Sequence, residues 1–358
     1  MPVYCGAFAL SIFLSMLFCR NRRSSSNDLL LWLPVLPILL VSVFRYGIGT
    51  DYLWVYDYGY QSVLHGRSWN YSRFEPGYLA INFLVGFFHG SSFWVFAIMA
   101  LIFHYFMYKF ILEWTNNVAF SLLLLFLSQV WLFSLSGIRQ AAALAIVAFA
   151  IRFAASREPA RYFVLISLAA SLHFTALVYF PLYFLFRRKY SQVTVLFLSV
   201  ILFALGFVAP SFLKTVANVF GRGDYFASSY FKNRIYYVEF FVTLLVASIT
   251  LFLQCKSPDF DSRYRVLINA AIFALFSASC SAAIPNAERF DLYFTVAYIV
   301  LIPILCMYCK TQLLSLGLAV FLSLILGSRL VYDTYFSGDS NGVAEYRCIL
   351  IEDGGRHL

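Results

Sequence analysis

The chain has 358 residues, 62% hydrophobic, 20% aromatic and only 12% charged. That leaves too little polar surface to cover a soluble fold of this length, so the expected solvent is lipid, and long apolar runs rather than short alternating ones speak against a transmembrane barrel. The net charge of +9 is carried mostly by short loops, as the positive-inside rule requires, and gives no reason to expect nucleic acid as a partner.

The first apolar run, Val3–Phe18, precedes the basic cluster Arg20, Arg22, Arg23. A cleaved signal peptide has the reverse order, so the run reads as a first membrane helix with its following loop in the cytoplasm. A second run, Leu29–Phe44, leads outward into FRYGIGTDYLWVYDY (44–58). This stretch gathers Arg45, Asp51 and Asp57 among aromatics where a helix leaves the lipid. Charges so close to hydrocarbon are costly, which suggests a site; an aromatic belt anchoring the helix end is the equal alternative.

Gly77–Phe88 is short, carries Asn82 and follows a Pro76-Gly77 break. If it crossed the bilayer, Lys109 and the Arg152, Arg157, Arg161 group would fall outside, so it is expected to lie at the outer surface or to dip in and return. Phe93–Leu112, Val118–Leu135 and Gln140–Ala155 are further spans, with the turn Ser136-Gly137-Ile138-Arg139-Gln140 outside. Tyr162–Phe186 starts and ends at basic residues and is interrupted by His173 and Pro181. It reads as a broken, re-entrant hairpin; one long tilted helix is the competing reading, and would invert everything downstream. Irregular backbone at this depth is tolerated only where protein encloses it.

The remaining runs are Val193–Ala209, Val238–Gln254, Val266–Ala283, Leu292–Tyr308 and Leu313–Leu330, with Ser211–Tyr237 and Pro285–Asp291 as outer loops and Lys256–Arg265 inside. The expectation is an all-α, polytopic membrane helical bundle of about eleven to twelve hydrophobic segments. It forms a single transmembrane domain over 1–330, with outer-face loops 45–76 and 211–237 and a polar tail 331–358. The seven cysteines lie mostly inside apolar runs and read as packing residues, supporting neither a disulfide framework nor zinc.

This topology gathers Arg45, Asp51, Asp57, Glu75, Arg139, His173, Glu288, Arg289 and Asp291 at the outer side. Arginines at separate helix ends can converge on a polyanion, because guanidinium matches phosphate oxygens in a forked geometry. A single arginine at a helix end is usually a snorkelling anchor, a reading that suits Arg139 less well because Ser136, Gly137 and Gln140 flank it between two apolar helices. His173 is read either as a packing residue or as a base; His65, His89 and His104 have no acidic company in sequence and read as structural. Walker, H-E-x-x-H, G-x-S-x-G and D-x-D patterns are absent, so metal-dependent nucleotide-sugar chemistry is poorly supported.

FRYGIGTDY, FEPGYLAINFL, LSGIRQAAALA, SLHFTAL and ERFDLYF occur in this order from Arg45 to Phe294. The set resembles the EpsG-like, Wzy-type polysaccharide polymerases. The resemblance implies a bacterial inner-membrane polymerase with its active site facing the periplasm, which joins oligosaccharide repeat units carried on undecaprenyl pyrophosphate and needs no cofactor, metal or nucleotide sugar. For that chemistry Arg139 and Arg289, then Arg45, are the candidate diphosphate clamps, because preplaced cations stabilise charge where it develops. His173 is the leading candidate base and Asp51 the second, since neutral imidazole accepts a proton near pH 7. Asp51 is otherwise a ligand of the acceptor sugar or a partner of Arg45. Gln140, Glu75, Tyr52 and Asp291 complete the expected substrate-binding set, with Tyr46, Trp54 and Tyr56 as possible sugar-stacking or belt aromatics. Expected partners are the lipid-linked oligosaccharide, as donor and acceptor, and membrane lipid; a chain-length regulator protein is an open third. A lipid-linked oligosaccharide flippase and an O-antigen ligase are the alternatives. A flippase should show inverted repeats, and none is visible.

Overall fold

Most apolar runs fold as helices close to their expected ends in the computed structural model, which describes residues 1–19, 29–66, 74–219, 226, 236–339 and 341–352. The basic cluster Arg20–Arg23, residues 67–73 of the first outer loop, residues 220–225 and 227–235 of the second, and the end of the tail lie outside the described residues. No strand occurs among those described; an isolated bridge pairs Arg45 with Cys348. Among the described residues four helices are long and apolar enough to cross a membrane, up to six if two bent pairs are each one span, and six shorter apolar helices accompany them. All seven cysteines are free.

Contacts divide the chain into two compact units. The first comprises Met1–Arg152, Ala160–Phe180 and Cys309–Leu358; the second comprises Phe153–Pro159 and Pro181–Tyr308.

In the first unit, α1 is Pro2–Phe18. The run Leu29–Phe44 is no continuous helix: Pro34 and Pro37 remove backbone donors, giving a 3-10 stretch, Leu29–Val35, followed by α2, Leu36–Val43. The aromatic segment after it is also helical, as a π-helical turn, Tyr52–Asp57, continued by α3, Tyr58–Leu64. Then come α4 (Pro76–Phe87), α5 (Ser92–Trp114), α6 (Val118–Leu127), α7 (Val130–Ser136), α8 (Ile138–Ala155) and α9 (Pro159–Leu172). The expected single span Val118–Leu135 is bent by 53° between α6 and α7, where Gln129 takes a left-handed conformation with φ 64°.

Two poles of this unit follow from its hydrogen bonds. At one, Glu75 bonds Arg139 and His173, and Thr50 Oγ1 lies 2.9 Å from Ser136 Oγ. At the other, Tyr108 donates to the Leu31 carbonyl and Arg152 pairs with Glu113 at 2.5 Å. α4 starts and finishes at the first pole: Glu75 precedes it, and the Gly90 carbonyl beyond its end accepts from Tyr60. Its 12 residues rise only about 18 Å, short of a ~30 Å hydrocarbon core.

α9 ends at His173, which is extended, and a 3-10 turn, Phe174–Val178, leads into α10, Tyr179–Leu185. The Tyr162 hydroxyl donates to the Tyr179 carbonyl at 2.7 Å, and the Phe163 and Phe180 rings lie 5.3 Å apart. A straight helix would separate residues 17 positions apart by about 25 Å. The segment therefore doubles back, with His173 at its tip: a broken hairpin rather than a tilted span.

In the second unit, α11 is Gln192–Val208 and α12 is Pro210–Val219, so the stretch expected as a loop from Ser211 begins as helix. α13 (Tyr237–Lys256) and α14 (Pro258–Ser279) leave only Ser257 between them. Lys256–Arg265, the stretch expected inside, is thus mostly helix, because the Ser257 hydroxyl caps Phe260 N–H and Pro258 sits at the first turn. PNAERFD is helical as well from Ala287: Asn286, at φ 54°, starts α15 (Ala287–Thr295), which bends by 43° into α16 (Tyr298–Met307).

α17, Gln312–Tyr335, belongs to the first unit and runs beyond the apolar stretch that ended at Leu330. The segment after it lies along the chain that leaves α2. Gly49 and Thr50 N–H donate to the carbonyls of Gly342 and Asn341, Tyr46 N–H to Arg347, and Ile349 N–H to Phe44. Val343 and Ile349 are buried.

Candidate active site

Glu75 is the junction of the site. It precedes α4 in extended conformation. Its Oε2 accepts from Arg139 Nη1 at the start of α8. Its Oε1 accepts from His173 Nδ1 at 3.1 Å and from Phe174 N–H at 3.2 Å. Three segments distant in sequence, FEPGY, GIRQ and SLHF, meet at one carboxylate.

Glycines make this closeness possible. A Cβ on Gly77 would lie 2.3 Å from Ser171 Oγ and 2.8 Å from the Ser171 carbonyl oxygen, so only glycine lets the start of α4 approach the end of α9. Gly49, with φ 101°, does the same against α7, where a Cβ would lie 2.5 Å from the Leu135 carbonyl oxygen.

The Arg139 guanidinium sits 4.8 Å from the Phe74 ring centroid, 5.5 Å from Tyr78 and 5.8 Å from Tyr56. Aromatic faces favour a cation at such distances and shield its pair with Glu75 from water. The side chains of Arg139, Glu75 and His173 are 15%, 14% and 23% exposed, so the cluster is largely sheltered without being sealed. Burial pushes the Glu75 carboxyl up, but the His173 hydrogen bond and the Arg139 charge outweigh it and hold it at about 2. Glu75 is therefore ionised at any physiological pH.

The other expected site residues divide. Gln140 follows Arg139 and is buried. Asp51 begins the π-helical turn, its carbonyl accepting from Val55 and Tyr56 N–H. Tyr52 is 4% exposed and stacks on Phe96 with centroids 4.1 Å apart, which covers one face of its ring. Arg45 is 1% exposed: Nη1 donates to the Ser42 carbonyl, and its guanidinium lies 5.2 Å from Phe96 and 5.9 Å from Tyr52. Its Nε and Nη2 have no hydrogen-bond partner among the described residues. Trp54, 81% exposed, is the open aromatic of the segment. Arg289 and Asp291 stand on α15 of the second unit; Asp291 is buried and accepts from Ser277. Among the described residues no group of three or more His, Cys, Asp or Glu is placed to hold a metal ion.

Sequence reasoning missed Phe174 N–H as a site donor and Gly77 as the residue that admits α9. The Pro76-Gly77 pair beside Glu75 was the available signal.

A family model described as the EpsG family matches residues 28–347, a range that holds every motif above. Comparison with curated proteins and with solved structures gave no match.

Proposed function

We propose that this chain, which belongs to the EpsG family, is a membrane glycosyltransferase that polymerises repeat units carried on undecaprenyl pyrophosphate. The family is linked to exopolysaccharide biosynthesis, and the helices make this a multi-pass membrane protein. In this reading it lies in the bacterial inner membrane with the Glu75 pole facing the periplasm.

The observation that carries the reading is the Glu75 junction, which sets a fixed cation, Arg139, beside an imidazole, His173, at one pole of a helical unit. The reaction needs both. The acceptor hydroxyl gives its proton to His173 as its oxygen bonds the anomeric carbon of the donor. The bond from that carbon to the diphosphate oxygen breaks, and its electron pair leaves with undecaprenyl pyrophosphate. Negative charge grows on the leaving diphosphate, and a preplaced guanidinium stabilises it most where water is scarce. Gln140 and Asp51, of the same unit, are candidate sugar or diphosphate ligands in this reading.

The glycan profile of a deletion strain tests the function. Cells that retain surface glycan of one repeat unit, and regain long chains when the gene is restored, are the expected result. Cells without any surface glycan would point to a flippase, and cells with normal chains would overturn the reading.

A further inference from the structure

Glu75 was expected to bind pyrophosphate or sugar. We propose instead that it is a positioning residue that fixes His173 in the tautomer protonated at Nδ1, leaving Nε2 as the atom that takes the acceptor proton. This rests on the polymerase reading.

A carboxylate is a poor ligand for a diphosphate, and this one is already committed. Oε2 is taken by Arg139, and Oε1 by His173 Nδ1 and Phe174 N–H. An ionised carboxylate has no proton to donate, so the ring nitrogen that faces it must carry one. In neutral imidazole the lone pair then lies on Nε2. The second bond to Oε1, from the backbone of the residue next to His173, ties the carboxylate to the hairpin tip as well as to the ring. On its other oxygen Arg139 holds the carboxylate from the side of α8. The close packing of Gly77 on Ser171 sets the start of α4 against the end of α9, so the base is held by backbone geometry and not by one rotamer alone.

The arrangement also serves the moment after proton transfer. When Nε2 takes the hydroxyl proton, imidazole becomes a cation beside Glu75, which stabilises it as the acid of a catalytic triad does. The proton then passes from Nε2 to water, and the resting tautomer returns. The charged group beyond Glu75 is Arg139, whose guanidinium is flanked by the hydroxyl-bearing rings of Tyr56 and Tyr78.

The test is the pH profile of elongation by purified full-length protein on a synthetic lipid-diphosphate repeat unit, for the wild type, Glu75→Gln and Glu75→Asp. Glu75→Gln should lower kcat on the order of 10²-fold, the size of a general-base contribution. It should also move the acid limb to lower pH and leave KM for the lipid donor unchanged, while Glu75→Asp restores part of kcat. A fall in kcat with no movement of the limb, or a rise in KM alone, would overturn the assignment. Should the variants not fold, 15N-histidine spectra of the wild type decide: a proton on Nδ1 is expected, and one on Nε2 in the neutral ring sinks the proposal. Failure of the wild type itself to elongate would count against the polymerase reading instead.

Discussion

His104 and His173 are both histidines in apolar surroundings, and their partners separate them. His104 is 2% exposed; its Nδ1 faces the Ala100 carbonyl at 2.8 Å, and its Nε2 accepts the Trp131 indole N–H at 3.0 Å. Both ring nitrogens are spent on the core. His104→Ala would leave the Trp131 donor buried and unpaired, a cost of about 1–3 kcal/mol before any cavity is counted. Lower thermal stability in detergent, with activity per folded molecule retained, is the expected outcome; a folded variant without activity would contradict the structural role. The sequence marked His173 by its small and polar neighbours, but it hid the acid, because Glu75 lies 98 positions away. Arg45 shows the opposite limit. Its aromatic neighbours were legible, yet nothing in the sequence signalled that it would be 1% exposed. The chain opposite it, around Cys348, pairs through backbone groups and leaves no side-chain pattern to read.

At the scale of elements, the hairpin of α9 and α10 and the short α4 were legible from interruptions: His173 and Pro181 in one, Asn82 and Pro76-Gly77 in the other. The break at Gln129 was not, since glutamine carries no intrinsic signal for the left-handed region, which Gly and Asn favour. For PNAERFD the topology gives a side but no secondary structure, and the helix that Asn286 starts there, with Glu288 suited to its first turn, is not marked by any apolar period. The contact of α4 with α9 is the element-level feature on which the site most depends. Gly77→Ala puts a carbon against the Ser171 backbone, which cannot rotate away, so the helices must part and draw Glu75 from His173. Loss of long chains from a variant still present in the membrane is expected. Full-length glycan in Gly77→Ala cells would show that the junction tolerates separation.

At the scale of the whole molecule, the first unit offers a test of membrane orientation that needs no ligand. Residues 44–50, Glu75, Ser136, Arg139, His173 and residues 341–349 belong to one pole by their hydrogen bonds, whereas Glu113 and Arg152 belong to the other. His65 and Asn116, both exposed and both in this unit, mark the two sides. In a cysteine-free background a membrane-impermeant thiol reagent should label His65→Cys in intact spheroplasts and label Asn116→Cys only after lysis. The reverse pattern would turn the site toward the cytoplasm, where lipid-linked repeat units are not polymerised in this account.

The measurement that bears most directly on the account is chain elongation by purified protein from a lipid-diphosphate repeat unit, comparing the wild type with Arg139→Ala and His173→Ala. A ladder of products from the wild type, with neither variant forming the first glycosidic bond above background although both fold, is the predicted result. Ladders of equal length and rate from all three would contradict it.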